Sequence, residues 1–132
     1  MDQTAEIEGA LRAALRPRGD VRLALLFGSQ ARGEAQASSD IDLAVWAPGV
    51  DLLELGAELS TALRQEVDIA SLEAPTIPLL EQLIRESIVV HEAIDGTAAT
   101  WRSRALASLE TDRPWYARMR DAWLRRVAEQ GV

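Results

Sequence analysis

The sequence predicts an α/β domain of the α+β kind, with a small mixed β-sheet, flanking helices and further helices at the C-terminus. Two observations carry this prediction. Short apolar segments of strand length alternate along the chain with segments that repeat their apolar residues at helical spacing. The chain has 132 residues, which is enough for one domain with a core of its own. The predicted order of elements is α-β-α-β-α-β-α-β, followed by helices.

The first half of the chain alternates between helix and strand. A first helix keeps its apolar residues at helical spacing and ends at Pro17 and Gly19. Residues 21–27 form a continuous apolar segment, which indicates a buried strand that ends at Gly28. A helical turn follows, and the second strand begins at Asp40. If Gly28 and Asp40 reach one site, the two strands must be antiparallel, because one residue closes its strand and the other opens it.

The next elements continue the alternation. Asp51 and Glu54 resemble a capping box, which opens a helix that leads to a third strand at residues 66–70. This strand should be parallel to the second, with the helix between them as a right-handed crossover. Pro78 marks the start of another helix, and residues 87–90 form a short final strand. We expect the helices to lie mainly on one face of the sheet.

The C-terminal third is predicted to be helical. A helix should run from about Thr97 to Leu109, a break should follow at residues 112–114, and a last helix should place four apolar residues on one face: Trp115, Met119, Trp123 and Val127. We expect residues 1–95 to form the core and residues 96–132 to form a C-terminal helical extension. The apolar face of this extension either docks a partner or completes the core of this chain.

Net charge is distributed unevenly. Residues 1–100 hold 17 acidic residues and 7 arginines, a net charge of −10, whereas residues 101–132 hold 4 acidic residues and 7 arginines, a net charge of +3. The negative charge of residues 1–100 argues against nucleic acid as a direct partner. The positive charge of residues 101–132 suits binding to an acidic protein. The chain has no cysteine, which removes thiol chemistry. We expect a cytoplasmic protein with no membrane partner, because no apolar run has membrane length and the N-terminus is acidic.

A glycine and a serine follow the first strand. Gly28 would let a phosphate approach the backbone, and the hydroxyl of Ser29 and the free amides of the next turn can donate hydrogen bonds to it. The chain has no lysine, so a lysine-dependent phosphate loop is excluded. Arg32 can bind phosphate or pair with Glu34. Ser39 can order the loop in which it lies or contact the nucleotide.

Three aspartates are the candidate catalytic residues. Asp40 and Asp42 stand two apart at the start of a strand and therefore point to one face. At about 5–6 Å and an effective dielectric constant near 20 they would repel each other by roughly 3 kcal/mol, which favours a divalent cation between them. Mg²⁺ suits carboxylates that also meet phosphates. Asp68, on the third strand, would share the second of two Mg²⁺ ions and accept a proton from an attacking hydroxyl.

These residues resemble the minimal nucleotidyltransferases of the DNA polymerase beta-like superfamily. The family pattern is Gly-Ser-x-Ala-Arg-Gly, five residues, and then Ser-Asp-x-Asp-Leu. Every fixed position matches: Gly28, Ser29, Ala31, Arg32, Gly33, Ser39, Asp40, Asp42 and Leu43. A third aspartate on a later strand belongs to the pattern, and Asp68 lies where it should. The resemblance covers roughly residues 5–92.

The resemblance implies a polymerase beta-like fold, ATP as substrate and AMP transfer to a tyrosine of a HEPN-domain toxin. The chain would then be the antitoxin of a hetero-oligomeric pair. One rival is an antitoxin that acts by binding alone, against which the intact set of three aspartates weighs. The other is an adenylyltransferase for a small molecule such as an aminoglycoside. About 40 residues after His91 are too few for the added helical domain that such enzymes use.

Overall fold

The computed structural model describes residues 3–34 and 40–129. Within them four strands and five helices follow one another: α1 (Gln3–Leu15), β1 (Leu23–Phe27), α2 (Ser29–Arg32), β2 (Ile41–Trp46), α3 (Leu52–Leu63), β3 (Val67–Ser71), α4 (Ile77–Glu86), β4 (Ile88–Glu92) and α5 (Thr97–Glu129). The predicted order of elements is confirmed up to β4. No helix in the described part is long and apolar enough to cross a membrane.

The four strands form one mixed sheet in the order β3-β2-β1-β4. Strands β1 and β2 are antiparallel, with Phe27 opposite Asp42. Strands β2 and β3 are parallel, with Asp42 beside Asp68. Both predicted strand relations are therefore confirmed. Strand β4 is antiparallel to β1, with a register shift between Ala24 and Leu25.

Helices cover both faces of this sheet, so the expectation that they lie mainly on one face is wrong. On one face, residues of α1 and α3 such as Leu11 and Leu55 pack in a buried cluster with Leu26 and Leu43. On the other face, residues of α4 and α5 pack against the remaining side chains of β1 and β2. The reason is visible in β1, whose five residues are all apolar and whose two faces therefore both need cover.

Side-chain caps fix where α3 and α4 begin. The carboxylate of Asp51 accepts hydrogen bonds from the backbone amides of Leu53 and Glu54, which confirms Asp51 as the N-cap of the predicted capping box. The hydroxyl of Thr76 accepts from Leu79 at the start of α4, where Pro78 occupies the first turn. The first cap ends the connection from β2 to α3, and the second ends the connection from β3, the strand that carries Asp68, to α4.

Helix α5 runs unbroken for 33 residues with Pro114 in its interior, so the predicted break at residues 112–114 is wrong. A proline disfavours the helical conformation of the residue before it and removes one backbone hydrogen bond, at a cost of about 3 kcal/mol. The surrounding residues are mostly strong helix formers such as alanine, leucine, arginine and glutamate, which favour continuation. The proline is therefore accommodated inside one helix.

The two halves of α5 have different surroundings. In the proximal half, Ala98, Trp101 and Leu109 pack against the sheet and α4. In the distal half, beyond residue 110, Trp115 is 56% exposed and Trp123 is also 56% exposed. The proximal half thus completes the core, whereas the distal half leaves its large apolar residues uncovered. The domain boundary at residues 95 and 96 stays a prediction.

Two tryptophans of α5 provide a matched test of this difference. Trp101→Ala should lower the free energy of unfolding by about 3 kcal/mol, because it removes a large side chain packed against two buried clusters. Trp123→Ala in the same helix should change it by about 0.5 kcal/mol or less. Urea unfolding followed by circular dichroism measures both values. Equal losses would contradict the assignment of Trp123 to an uncovered face.

Candidate functional site

The glycine–serine turn lies at the end of β1, where the backbone needs glycine. Gly28 has φ +77° and ψ −151°, a conformation that other residues avoid. A Cβ atom on Gly28 would stand 2.5 Å from Oδ2 of Asp42, so a side chain there would displace the Asp42 carboxylate. Helix α2 starts at the next residue, Ser29. The turn is therefore pressed directly against the carboxylate of the neighbouring strand.

The three candidate aspartates lie near one end of the sheet. Asp42 is half-buried on β2, between Phe27 of β1 and Asp68 of β3. Because Asp42 and Asp68 are register partners on parallel strands, their backbones lie about 4.8 Å apart and their side chains leave the same face. Asp40 is exposed and comes directly before β2. Their common face is the one that α4 and α5 cover elsewhere.

Chain connections at β3 bring Asp68 into register with Asp42. The backbone amide of Ile41 donates to the carbonyl of Glu66 at 2.9 Å, and the amide of Val67 donates to the hydroxyl of Ser60 at 3.0 Å. The second bond ties the start of β3 to helix α3. A one-residue slip of β3 would turn Asp68 to the opposite face, so these bonds help to fix the site.

The aspartates interact electrostatically. Burial raises the pKa of the Asp42 carboxyl above its usual range, and the charges of Asp68 and then Asp40 raise it further, while Arg32 lowers it. Within residues 3–34 and 40–129, however, no three histidine, cysteine, aspartate or glutamate side chains converge closely enough to hold a metal ion. The role of Asp40, Asp42 and Asp68 as metal ligands stays a prediction.

Arg32 makes two ion pairs rather than the one that the sequence suggested. Its guanidinium lies 3.1 Å from the carboxylate of Glu34 and 3.1 Å from that of Glu86 at the end of α4. Glu86 in turn accepts a hydrogen bond from Gln82 at 2.8 Å. Arg32 thus links α2 to α4, and phosphate binding by Arg32 stays a prediction.

Two serines were also expected near the nucleotide. The hydroxyl of Ser29 is half-buried and has no hydrogen-bond partner within the described part of the chain. It is therefore free to donate to a phosphate, although its role as a ligand stays a prediction. Ser39 lies outside the described residues.

Sequence reasoning missed two residues around the turn. Glu86 is 54 positions from Arg32 in the sequence. Their ion pair forms only because tertiary packing brings α2 and α4 together, so no local sequence pattern could predict it. Gln30 occupies the variable position of the motif, yet its side chain is fully buried. Neither polar atom of that side chain finds a partner within residues 3–34 and 40–129. The backbone carbonyl of Gln30 accepts a hydrogen bond from the hydroxyl of Thr4 in α1 at 2.9 Å, so α1 also supports the turn.

A cavity of about 780 Å³ lies at the opposite end of the same sheet face, between Trp46, Leu72 and Trp101. It includes neither Gly28 nor any of the three aspartates. Strand β2 separates the two places, because Asp42 stands at one end of it and Trp46 at the other. The candidate site is thus an open surface rather than this cavity.

The fold and the site define a class of protein. A family model described as polymerase beta nucleotidyltransferase matches residues 10–95, which is well over half of the chain. This protein therefore belongs to the polymerase beta nucleotidyltransferase family, and it is a nucleotidyltransferase. Among curated proteins, none matches it significantly.

Solved structures resemble the chain over most of its length. A toxin–antitoxin crystal structure with AMP-PNP has a TM-score of 0.70 and 24% identity, over 88% of this chain and 98% of the other. A structure of a tri-AMPylated HEPN toxin from Shewanella oneidensis in complex with an MNT antitoxin has a TM-score of 0.67 and 21% identity, over 92% of this chain and 99% of the other. A candidate minimal nucleotidyltransferase is 39% identical with a TM-score of 0.51, over 64% of this chain and 88% of its own. The predicted polymerase beta-like fold is confirmed.

The contact between Gly28 and Asp42 can be tested with a matched pair of glycine variants. Gly28→Ala should destabilise the fold by about 1–3 kcal/mol and displace Asp42, because the new Cβ atom meets its carboxylate. Gly49→Ala is the control, since Gly49 also has a positive φ, +80°, but has open space around it. Urea unfolding and nucleotide transfer are measured for both. Transfer that survives in Gly28→Ala would contradict the importance of this contact.

The raised pKa of Asp42 predicts a pH dependence of stability. The folded protein holds the Asp42 proton to a higher pH than the unfolded chain, whose carboxyl titrates near pH 3.9. Above about pH 3.9 the folded state therefore binds more protons, and the contribution of Asp42 to stability falls as the pH rises. Asp42→Asn should raise the melting temperature at pH 7 without divalent cations, and this gain should shrink towards pH 3.5. A gain that does not change with pH would contradict the prediction.

Proposed function

We propose that this nucleotidyltransferase moves AMP from ATP to a tyrosine hydroxyl of a HEPN-domain toxin and is the antitoxin of that pair. The observation that carries the proposal is the contact of the Gly28 turn with Asp42, which itself stands in register beside Asp68. It combines a place for phosphate with carboxylates that can handle a proton. Two structures of similar fold support the proposed partner: one is a toxin–antitoxin pair with AMP-PNP, and one holds a tri-AMPylated HEPN toxin.

The residues of the turn would bind the triphosphate. The backbone at Gly28 can approach a phosphate closely, because it carries no side chain. The free hydroxyl of Ser29 and the amides at the start of α2 would donate hydrogen bonds to phosphate oxygens. Arg32 stands close enough to act on the charge of Asp42 and can balance part of the negative charge that arrives with ATP.

The carboxylates would manage the proton and the cation. Asp68 accepts the proton of the incoming hydroxyl, whose oxygen attacks the α-phosphorus of ATP. A new oxygen–phosphorus bond forms, the bond from the α-phosphorus to the bridging oxygen breaks, and pyrophosphate leaves. Hard carboxylate oxygens on one face are the donor set that Mg²⁺ prefers, so Asp40, Asp42 and Asp68 would hold it. Bound Mg²⁺ would neutralise phosphate charge and favour departure of pyrophosphate.

The open position of the aspartates supports an acceptor from another molecule. Asp40 and Asp68 are exposed among the residues that the structure describes. A hydroxyl on a second protein could therefore approach them from solvent. The cavity of about 780 Å³, which has the size to hold a small acceptor such as an aminoglycoside, includes none of the three aspartates.

The proposal is tested by aspartate variants with the HEPN-domain partner. Asp42→Ala should reduce transfer of radiolabelled AMP to the partner by about 100-fold or more, because it removes a carboxylate from the reacting centre. Asp68→Asn should keep ATP binding but lose turnover, since an amide cannot accept the proton. Intact mass of the partner and calorimetry with ATP measure the two effects. The control is Asp95→Asn, remote from the turn.

Wild-type transfer by Asp42→Ala would overturn the assigned site. If the wild-type chain neutralises its partner while adding no mass to it, the non-enzymatic rival is correct instead.

A further inference from the structure

The exposed apolar residues of the distal half of α5 continue the face that covers the core in the proximal half. Met119, Trp123 and Val127 each lie 18 residues after Trp101, Ala105 and Leu109 respectively. Eighteen residues are five full turns at about 3.6 residues per turn, so the two sets point the same way. Trp115 lies one turn before Met119 on that side. We call Trp115, Met119, Trp123 and Val127 the distal stripe.

Nothing in the described part of the chain covers the distal stripe. Trp115 and Trp123 are each 56% exposed and Met119 is 53% exposed. An isolated helical segment of this length is marginal in water, because most helical stability comes from packing an apolar face. Pro114 adds a further cost at the start of the segment. A covering surface would supply the packing that the segment lacks.

The charges beside the distal stripe indicate what covers it. Residues 115–129 contain four arginines and two acidic residues. Arg118, Arg125 and Arg126 make no ion pair within residues 3–34 and 40–129. At about 100° per residue, Arg118 and Arg126 lie along one border of the stripe, each one position before a stripe residue. A fitting surface is therefore apolar in the middle and acidic at its border.

A second copy of the stripe does not meet this requirement. Two stripes packed together would bring the arginines of both copies to one interface, where like charges oppose association. A partner with carboxylates at the border would instead gain attraction from each unpaired arginine. The observed charges thus favour a different protein over self-association through this helix.

We propose that the distal stripe docks an acidic, apolar surface of the HEPN-domain partner and holds it while its hydroxyl reaches the aspartates. This inference rests on the proposed function for the identity of the partner. The stripe touches neither ATP nor the reacting atoms. The tryptophans of the stripe supply binding energy, and the arginines at its border speed association.

The test uses the full chain and its separately purified HEPN-domain partner. Trp115→Ala with Trp123→Ala should weaken the complex by about 30-fold or more, because buried tryptophans dominate interface energies. Leu53→Ala is the control, since Leu53 is 88% exposed on α3 and should leave affinity within about twofold. At saturating partner, the double variant should transfer AMP at the wild-type rate. Calorimetry and single-turnover transfer measure these values.

A charge-reversal pair tests the border of the stripe. Arg118→Glu with Arg126→Glu should slow association about tenfold or more at low salt and flatten its dependence on ionic strength. Arg102→Glu, in the exposed part of the proximal half, is the control. Unchanged association in the double reversal would overturn the role of the arginines.

Three other outcomes would overturn the docking proposal. The tryptophan double variant could bind the partner with unchanged affinity, or its melting temperature could fall by a large amount. It could also be a monomer where the wild type self-associates, and still bind the partner. The proposed transfer fails separately. If the double variant loses the complex while the wild type adds no AMP, docking stands and transfer is wrong. If affinity is unchanged while the wild type adds AMP, transfer stands and docking is wrong.

Discussion

The close approach of Gly28 to Asp42 is the contact on which the arrangement of the site depends. It requires a glycine in a backbone conformation that other residues avoid, and it requires β1 and β2 to be antiparallel with Phe27 opposite Asp42. Two further contacts hold the turn after Gly28 in place. Helix α1 bonds to the carbonyl of Gln30, and the ion pair of Arg32 with Glu86 ties α2 to α4.

The chemistry of the site follows from where cover is missing. The hydrophobic residues of β1 require helices on both faces, yet Asp40 and Asp68 at one end of the sheet remain exposed among the described residues. Asp42 is buried enough for its pKa to rise, whereas Asp40 and Asp68 remain exposed. The site therefore combines one electrostatically strained carboxylate with two accessible ones. Such an arrangement leaves two carboxylates accessible to a molecule that approaches from solvent.

Local sequence patterns predicted the strands and the helix caps, because these depend on nearby residues. The directions of β1, β2 and β3 were predicted by requiring Gly28 and the aspartates to reach one site, and the structure confirms these directions. The links of Arg32 to Glu86 and of Gln30 to Thr4 could not be predicted, since they join segments far apart in sequence. Pro114 misled because a proline inside a helix costs about 3 kcal/mol but does not prevent the helix from continuing past it.

The position of β3 at the edge of the sheet gives Asp68 a second physical consequence. An edge strand exposes unpaired backbone groups that can pair with another chain, and a charged side chain on it discourages such pairing. Strand β3 is short, and Asp68 is the charged residue within it. The negative charge that we propose for the chemistry therefore also discourages pairing of this edge with another chain. A variant that neutralises Asp68 removes both effects. Aggregation of such a variant should therefore be measured together with its activity.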